Sequence, residues 1–124
     1  MKRIALIAHD AMKPEMVEFC KTHKDLLGRN FLCGTGVTAE QINAATGLPV
    51  KAYLGGPMGG DMQIGAEVAE GKIDMIFFFS DPLTAQPHDP DIKALIRIAQ
   101  VYDVPIANNR STAEYIITSE LFES

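Results

Sequence analysis

Six ionisable side chains in this sequence fall in three places where proton chemistry is possible: His9-Asp10, Asp61, and the group Asp81, His88 and Asp91. Imidazole titrates near neutrality, so His88 suits a proton donor or a carbonyl polariser, with Asp81 or Asp91 available to orient it. Asp61 ends the segment Leu54-Gly55-Gly56-Pro57-Met58-Gly59-Gly60-Asp61, in which four of eight residues are glycine. Glycine gives up the most conformational freedom on folding, so this density points to backbone that must approach something closely. One reading is a phosphate-cradling loop that ends in a catalytic base. The other is a plain strand-to-helix turn with Asp61 as its N-cap.

An anion fits the surrounding residues. Helix N-termini expected at Thr38 and Asp61 would direct unpaired backbone N–H groups outward, Thr35 and Thr38 add hydroxyls, and Lys13 adds a point charge. The six ionisable groups are all metal-ligand types, but no recognised ligand spacing links them, and no metal is expected. Gly34-x-Gly36-x-x-Ala39 formally matches a dinucleotide fingerprint, yet the following strand lacks the terminal acid that would hold a ribose. Gly55 to Asp61 also lacks the Gly-Lys-Ser/Thr ending of a nucleoside triphosphate loop. No cofactor is expected.

The elements that must position these groups alternate in type. Arg3–Ala8, Asn30–Cys33, Val50–Leu54, Ile73–Phe79 and Val104–Ala107 read as strands. Helices are expected from Pro14, from Thr38 in a Thr-x-x-Gln variant of the capping pattern, from Asp61, from Asp89-Pro90, and from a Ser111 cap. Within them Met16, Phe19, Cys20 and His23 form one stripe, with His23 structural. Ile92, Leu95, Ile96, Ala99 and Tyr102 form another. Such βαβ units predict an α/β fold: a doubly wound, Rossmann-like, parallel five-stranded sheet with helices on both faces, in one domain spanning residues 1–124. Ligands in such sheets bind at the carboxyl ends of strands. His9-Asp10, Thr35–Thr38, Gly55–Asp61 and Asp81–Asp91 each follow a strand and so converge on one rim.

Composition narrows the function classes. A chain of 124 residues with 47% hydrophobic and 22% charged content is ordinary for a globular protein. A net charge of −5 with no Lys/Arg cluster argues against nucleic acid. No apolar run is long enough to span a bilayer, and the amino terminus has no signal-peptide layout, so no membrane partner and a cytoplasmic location are expected. Cys20 and Cys33 form neither a C-x-x-C pair nor a zinc spacing and are expected to be free buried thiols.

Taken together, His9-Asp10 with Lys13, Thr35-Gly36-Val37-Thr38, Gly56-Pro57-Met58-Gly59-Gly60-Asp61 and the run from Asp81-Pro82-Leu83 to Pro87-His88-Asp89-Pro90-Asp91 resemble the methylglyoxal synthase family over nearly the whole chain. The resemblance implies cofactor-free elimination of inorganic phosphate from dihydroxyacetone phosphate, in a homohexamer. It further implies phosphate as product and inhibitor. Asp61 would be the proton-abstracting base and His88 the carbonyl-polarising group, with Asp10, Asp81 and Asp91 as supporting acids. His9 would lie at the rim. Lys13, Thr35, Gly36, Val37, Thr38, Gly55 and Gly56 would form the phosphate site. Val37 stands where threonine is common in the family and Gly55 where serine is common, so each removes a hydroxyl. A non-catalytic ligand-sensing module, like the regulatory domain of large carbamoyl phosphate synthetases, and a metal-dependent phosphohydrolase are the alternatives.

Overall fold

Successive residues of the first strand, β1 (Arg3–Ala8), point to opposite faces, and every residue from Ile4 to Ala8 is buried. A strand apolar on both faces needs cover on both. The structure, a computed structural model describing residues 1–123, provides it. β2 (Phe31–Gly34), β3 (Val50–Ala52), β4 (Met75–Phe79) and β5 (Ile106–Ala107) join β1 in a parallel sheet of order β3-β2-β1-β4-β5, the doubly wound α/β arrangement expected. Leu6 pairs with Gly34 on one side and Phe77 on the other. Strand order reverses between β1 and β4, and that reversal opens a crevice at their carboxyl ends.

On one face Ile4, Leu6, Phe77 and Phe79 pack with Phe19 of α1 (Lys13–Thr22), Ile42 of α3 (Gly36–Thr46) and Ile117 of α6 (Arg110–Ile117). Phe19 meets Phe77 and Phe79 edge to face at 5.5 and 5.6 Å. On the other face Ala5, Ile7, Ile76 and Phe78 pack with Ile64 and Val68 of α4 (Gly60–Ala69) and with Ile92, Leu95 and Ala99 of α5 (Asp89–Val101). The single-turn helices α2 (Lys24–Leu27) and α7 (Glu120–Glu123) complete the chain. His23, between α1 and α2, binds both carboxylate oxygens of Glu114 in α6 at 2.9 Å, a structural role. Among the described residues no helix is long and apolar enough to cross a membrane. Cys20 and Cys33 are free, buried thiols.

Several boundaries differ from expectation. β3 ends at Ala52 rather than Leu54, because the Leu54 N–H donates to Gln63 Oε1 at 2.9 Å and its carbonyl accepts the Gly36 N–H at 3.2 Å. α3 begins at Gly36 with Thr35 as N-cap, not at Thr38, whose hydroxyl instead donates to the Ala8 carbonyl at 3.3 Å. Asp61 is the second residue of α4 and not its cap. His88, rather than Asp89, caps α5, and Asn109, rather than Ser111, caps α6 by accepting the Thr112 N–H at 2.9 Å. Tyr102 is exposed instead of inward, since α5 stops before it and Asp103 turns left-handed at φ 56°.

Candidate active site

The crevice holds a cavity of about 250 Å³ whose walls come from the segments after β1, β2, β3 and β4. His9, Asp10, Lys13, Thr35, Val37, Thr38, Gly55, Gly56, Asp61 and His88 all line it. Gly36, Asp81 and Asp91 do not.

Asp61 is the most deeply buried ionisable residue lining the cavity. Only 1% of it is exposed, and neither carboxylate oxygen has a hydrogen-bond partner among the described residues. Burial pushes its pKa up; nearby His88 opposes this, and Asp91, in the first turn of α5, adds to it. An orphaned buried carboxylate is costly, and where one persists it marks a functional position. His88 is also buried, its Nε2 3.7 Å from Asp61 Oδ2 and its Nδ1 without a partner. That separation is too long for a hydrogen bond and too short to admit another group between the two, so both keep bonding capacity for a ligand beside them in the cavity.

Two glycines allow this approach. A Cβ at Gly56 would stand 2.7 Å from His88 Nε2, so the imidazole occupies space that any other residue would fill. A Cβ at Gly60 would overlap the Leu54 carbonyl, so the first residue of α4 presses directly on the loop and sets where Asp61 enters. Gly36 lies behind the wall, its Cβ position 3.3 Å from Gly55 N and from Tyr53 O; it supports the cradle without lining it. The space beside Gly55 is open, and Val37 is half exposed at the mouth.

The imidazole of His9 has a defined tautomer. Its Nδ1 accepts the backbone N–H of Asp81 at 2.9 Å, which leaves the proton of the neutral ring on Nε2. That Nε2 is buried, has no partner among the described residues, and belongs to a cavity-lining residue. Burial, then His88 and Lys13, lowers the His9 pKa and favours this neutral donor. Asp81 therefore acts here through its backbone. Its carboxylate accepts the Leu83 N–H at 3.0 Å and is held below the usual range mainly by Thr84, so it serves its own turn rather than orienting His88. Lys13 Nζ donates to the Ala8 carbonyl at 2.9 Å and to Asp10 at 2.7 Å, and that ion pair holds the Asp10 carboxyl low.

Groups able to donate to an anion in this wall are the Lys13 ammonium, His9 Nε2–H, the Thr35 hydroxyl and, in the first turn of α3, the Val37 and Thr38 N–H groups, the Gly36 N–H being taken by the Leu54 carbonyl at 3.2 Å. α4 contributes less than expected, because the Gly60 N–H is taken by the Gly55 carbonyl at 3.0 Å. Among the described residues no three His, Cys, Asp or Glu side chains converge as metal ligands. Sequence reasoning passed over Gln86 and Pro57, which also line the cavity. The signal for Gln86 was its place two residues before His88 in a dense polar turn; being uncharged, it was not selected.

A family model described as "MGS-like domain" matches residues 15–108. Methylglyoxal synthase from Leptospira interrogans serogroup Icterohaemorrhagiae serovar copenhageni is 57% identical over 122 residues, 98% of this chain and 82% of that one. The Clostridium acetobutylicum enzyme of the same name is 54% identical over 122 residues, covering 98% of this chain and 84% of its own length. The crystal structure of methylglyoxal synthase from Elizabethkingia anophelis NUHP1 superposes with a TM-score of 0.94 at 41% identity, over 99% of this chain and 81% of that chain. By sequence and by fold, this chain belongs to the methylglyoxal synthase family.

Proposed function

We propose that the chain converts dihydroxyacetone phosphate to methylglyoxal and inorganic phosphate, as a carbon–oxygen lyase that uses its own side chains. The observation that carries this is the buried Asp61 carboxylate, without a hydrogen-bond partner among the described residues, beside His88 in the wall of a cavity that is also lined by anion donors. Lys13, His9, Thr35, Thr38 and the α3 N-terminus hold the phosphate, with Gly55 and Gly56 letting backbone come close. Asp61 takes a proton from the hydroxymethyl carbon. Its raised pKa makes it a stronger base than an exposed aspartate. His88 donates to the keto oxygen as charge develops there, which stabilises the enediolate. The enediol hydroxyl then gives up its proton, its oxygen becomes the aldehyde, and the electron pair expels phosphate by breaking the C–O bond. The enol left behind gains a proton on its methylene carbon and releases its O–H proton, giving methylglyoxal. Asp91 raises Asp61, and Asp10 holds Lys13.

Expulsion wins over isomerisation when the C–O bond to phosphate stands perpendicular to the enediolate plane, where its orbital overlaps the π system. The same proposal includes a homohexamer and inhibition by free phosphate, which shares the cradle with substrate. Light scattering tests the assembly.

The test is incubation of pure protein with dihydroxyacetone phosphate in EDTA. Equal amounts of methylglyoxal and phosphate are expected. Phosphate released without methylglyoxal when Mg²⁺ replaces the EDTA would indicate a metal-dependent phosphohydrolase, and ligand binding without turnover in either buffer a sensing module; either result overturns the proposal.

A further inference from the structure

Gln86 is the one cavity-lining carboxamide, and its hydrogen-bonding capacity is almost unused. An amide side chain offers two N–H donors and an oxygen with two lone pairs. Among the described residues the only bond this one makes is from Nε2 to the Thr84 carbonyl at 3.4 Å, the long limit of a hydrogen bond. The backbone beneath is better fixed: the Gln86 carbonyl accepts the Asp89 N–H at 3.3 Å, and His88 follows two residues later as the cap of α5. The side chain is half-buried, so it is partly dried yet hardly paired.

The anion donors come from the segments after β1 and β2, whereas Gln86 comes with His88 from the segment after β4. Gln86 and His9 also line a second cavity of about 420 Å³ under the Ser80–Gln86 turn, so together they form the wall between the two spaces. Gln86 thus enters the cavity wall together with His9 and two residues before His88 in the chain.

We propose that the Gln86 carboxamide contacts the keto and hydroxymethyl oxygens of the substrate and sets the rotation of the triose, so that the bond to phosphate stands out of the enediolate plane. This rests on the elimination chemistry proposed above. Gln86 holds the partition between elimination and isomerisation, while phosphate affinity stays with the opposite wall.

The test compares wild type with Gln86→Ala, Gln86→Leu and Gln86→Glu in kcat, KM, inhibition by inorganic phosphate, and the ratio of methylglyoxal to glyceraldehyde 3-phosphate. Loss of about one neutral hydrogen bond predicts roughly a tenfold fall in kcat/KM for the alanine and leucine variants. The aldose phosphate share should rise several-fold, with phosphate inhibition within about twofold of wild type. Gln86→Glu, which sets a negative charge beside the enediolate, should fall furthest. Wild-type kinetics and partition in both neutral variants would overturn the assignment. So would a parallel loss of phosphate inhibition, which would place Gln86 in the anion cradle. If wild type makes no methylglyoxal, the chemistry fails first, and that outcome is distinct from a Gln86 result obtained with an active enzyme.

Discussion

Replacing Asp61 with asparagine should move activity and stability in opposite directions. Asp61 is 1% exposed and both its oxygens lack partners, so the folded state carries a carboxylate that water would otherwise solvate. An unsatisfied buried polar group costs about 1–3 kcal/mol, more when charged. An asparagine keeps the shape and removes the charge, though its amide is also imperfectly paired, so a net gain of about 1–2 kcal/mol is expected. For 124 residues each kcal/mol corresponds to roughly 4 °C in Tm, which places the variant about 4–8 °C above wild type near neutral pH. Turnover should fall roughly 10³-fold or more, since the proton acceptor is gone.

The pH dependence separates this cause from ordinary repacking. The folded-state pKa of Asp61 is raised, so its unfolded form ionises first as pH climbs. Below the ordinary carboxylate range both states are protonated, and the two proteins should melt at similar temperatures. As pH rises past the unfolded value the wild type loses stability relative to the variant, about 1.4 kcal/mol per unit of difference between the two pKa values, and the gap levels off above the folded value. Thermal melts from pH 4 to 8 in phosphate-free buffer measure it, because bound phosphate would add its own stabilisation. A Tm difference independent of pH, or a variant less stable than wild type at pH 8, would refute the placement of an uncompensated charge at this position.

Gly56→Ala should leave the melting temperature nearly unchanged, because the Gly56 backbone is not in the left-handed region, but its Cβ would force His88 Nε2 back from 2.7 Å to ordinary contact; kcat should drop on the order of 10–100-fold, and unaltered kcat would mean that His88 is not where it acts. Lys13→Met should raise the KM for triose phosphate and weaken phosphate inhibition by about 10–100-fold, the loss of a charge-assisted hydrogen bond, with a smaller change in kcat; inhibition kinetics would decide. Burial pushes the Cys20 and Cys33 thiols up to about 12 and about 11, so the native protein should resist a thiol reagent at pH 8 and react at both cysteines once unfolded in guanidinium.

What the sequence made legible was whatever depends on local pattern. Apolar strands bounded by glycine and proline implied a parallel sheet covered on both faces, and the carboxyl-end rule placed four segments on one rim before any contact was known. Two of the misreadings share a physical source, competition from residues distant in the chain. Thr38 has the spacing of a helix cap, yet the Ala8 carbonyl, 30 residues earlier, takes its hydroxyl and the helix starts at Gly36. Asp81 has the charge of a histidine-orienting acid, yet its backbone N–H meets His9, 72 residues away, while its carboxylate stays in its own turn. Gln86 carries no charge and follows no motif, so only its place in the cavity wall draws notice.

The glycine loop shows where pattern and geometry meet. Glycine density could mean a turn or a close approach, and the two readings are told apart by what occupies the missing side-chain space. At Gly59 the left-handed φ of 105° requires glycine for backbone reasons, with nothing within 4 Å of a Cβ. At Gly56 the backbone would accept another residue, and the space is filled by His88. One glycine makes the turn and the other admits the imidazole. The segment is therefore at once the strand-to-helix connection and half of the cavity wall: Gly60 packs on the Leu54 carbonyl at the start of α4, one residue before Asp61, and Gly56 leaves room for the His88 imidazole 3.7 Å from the Asp61 carboxylate.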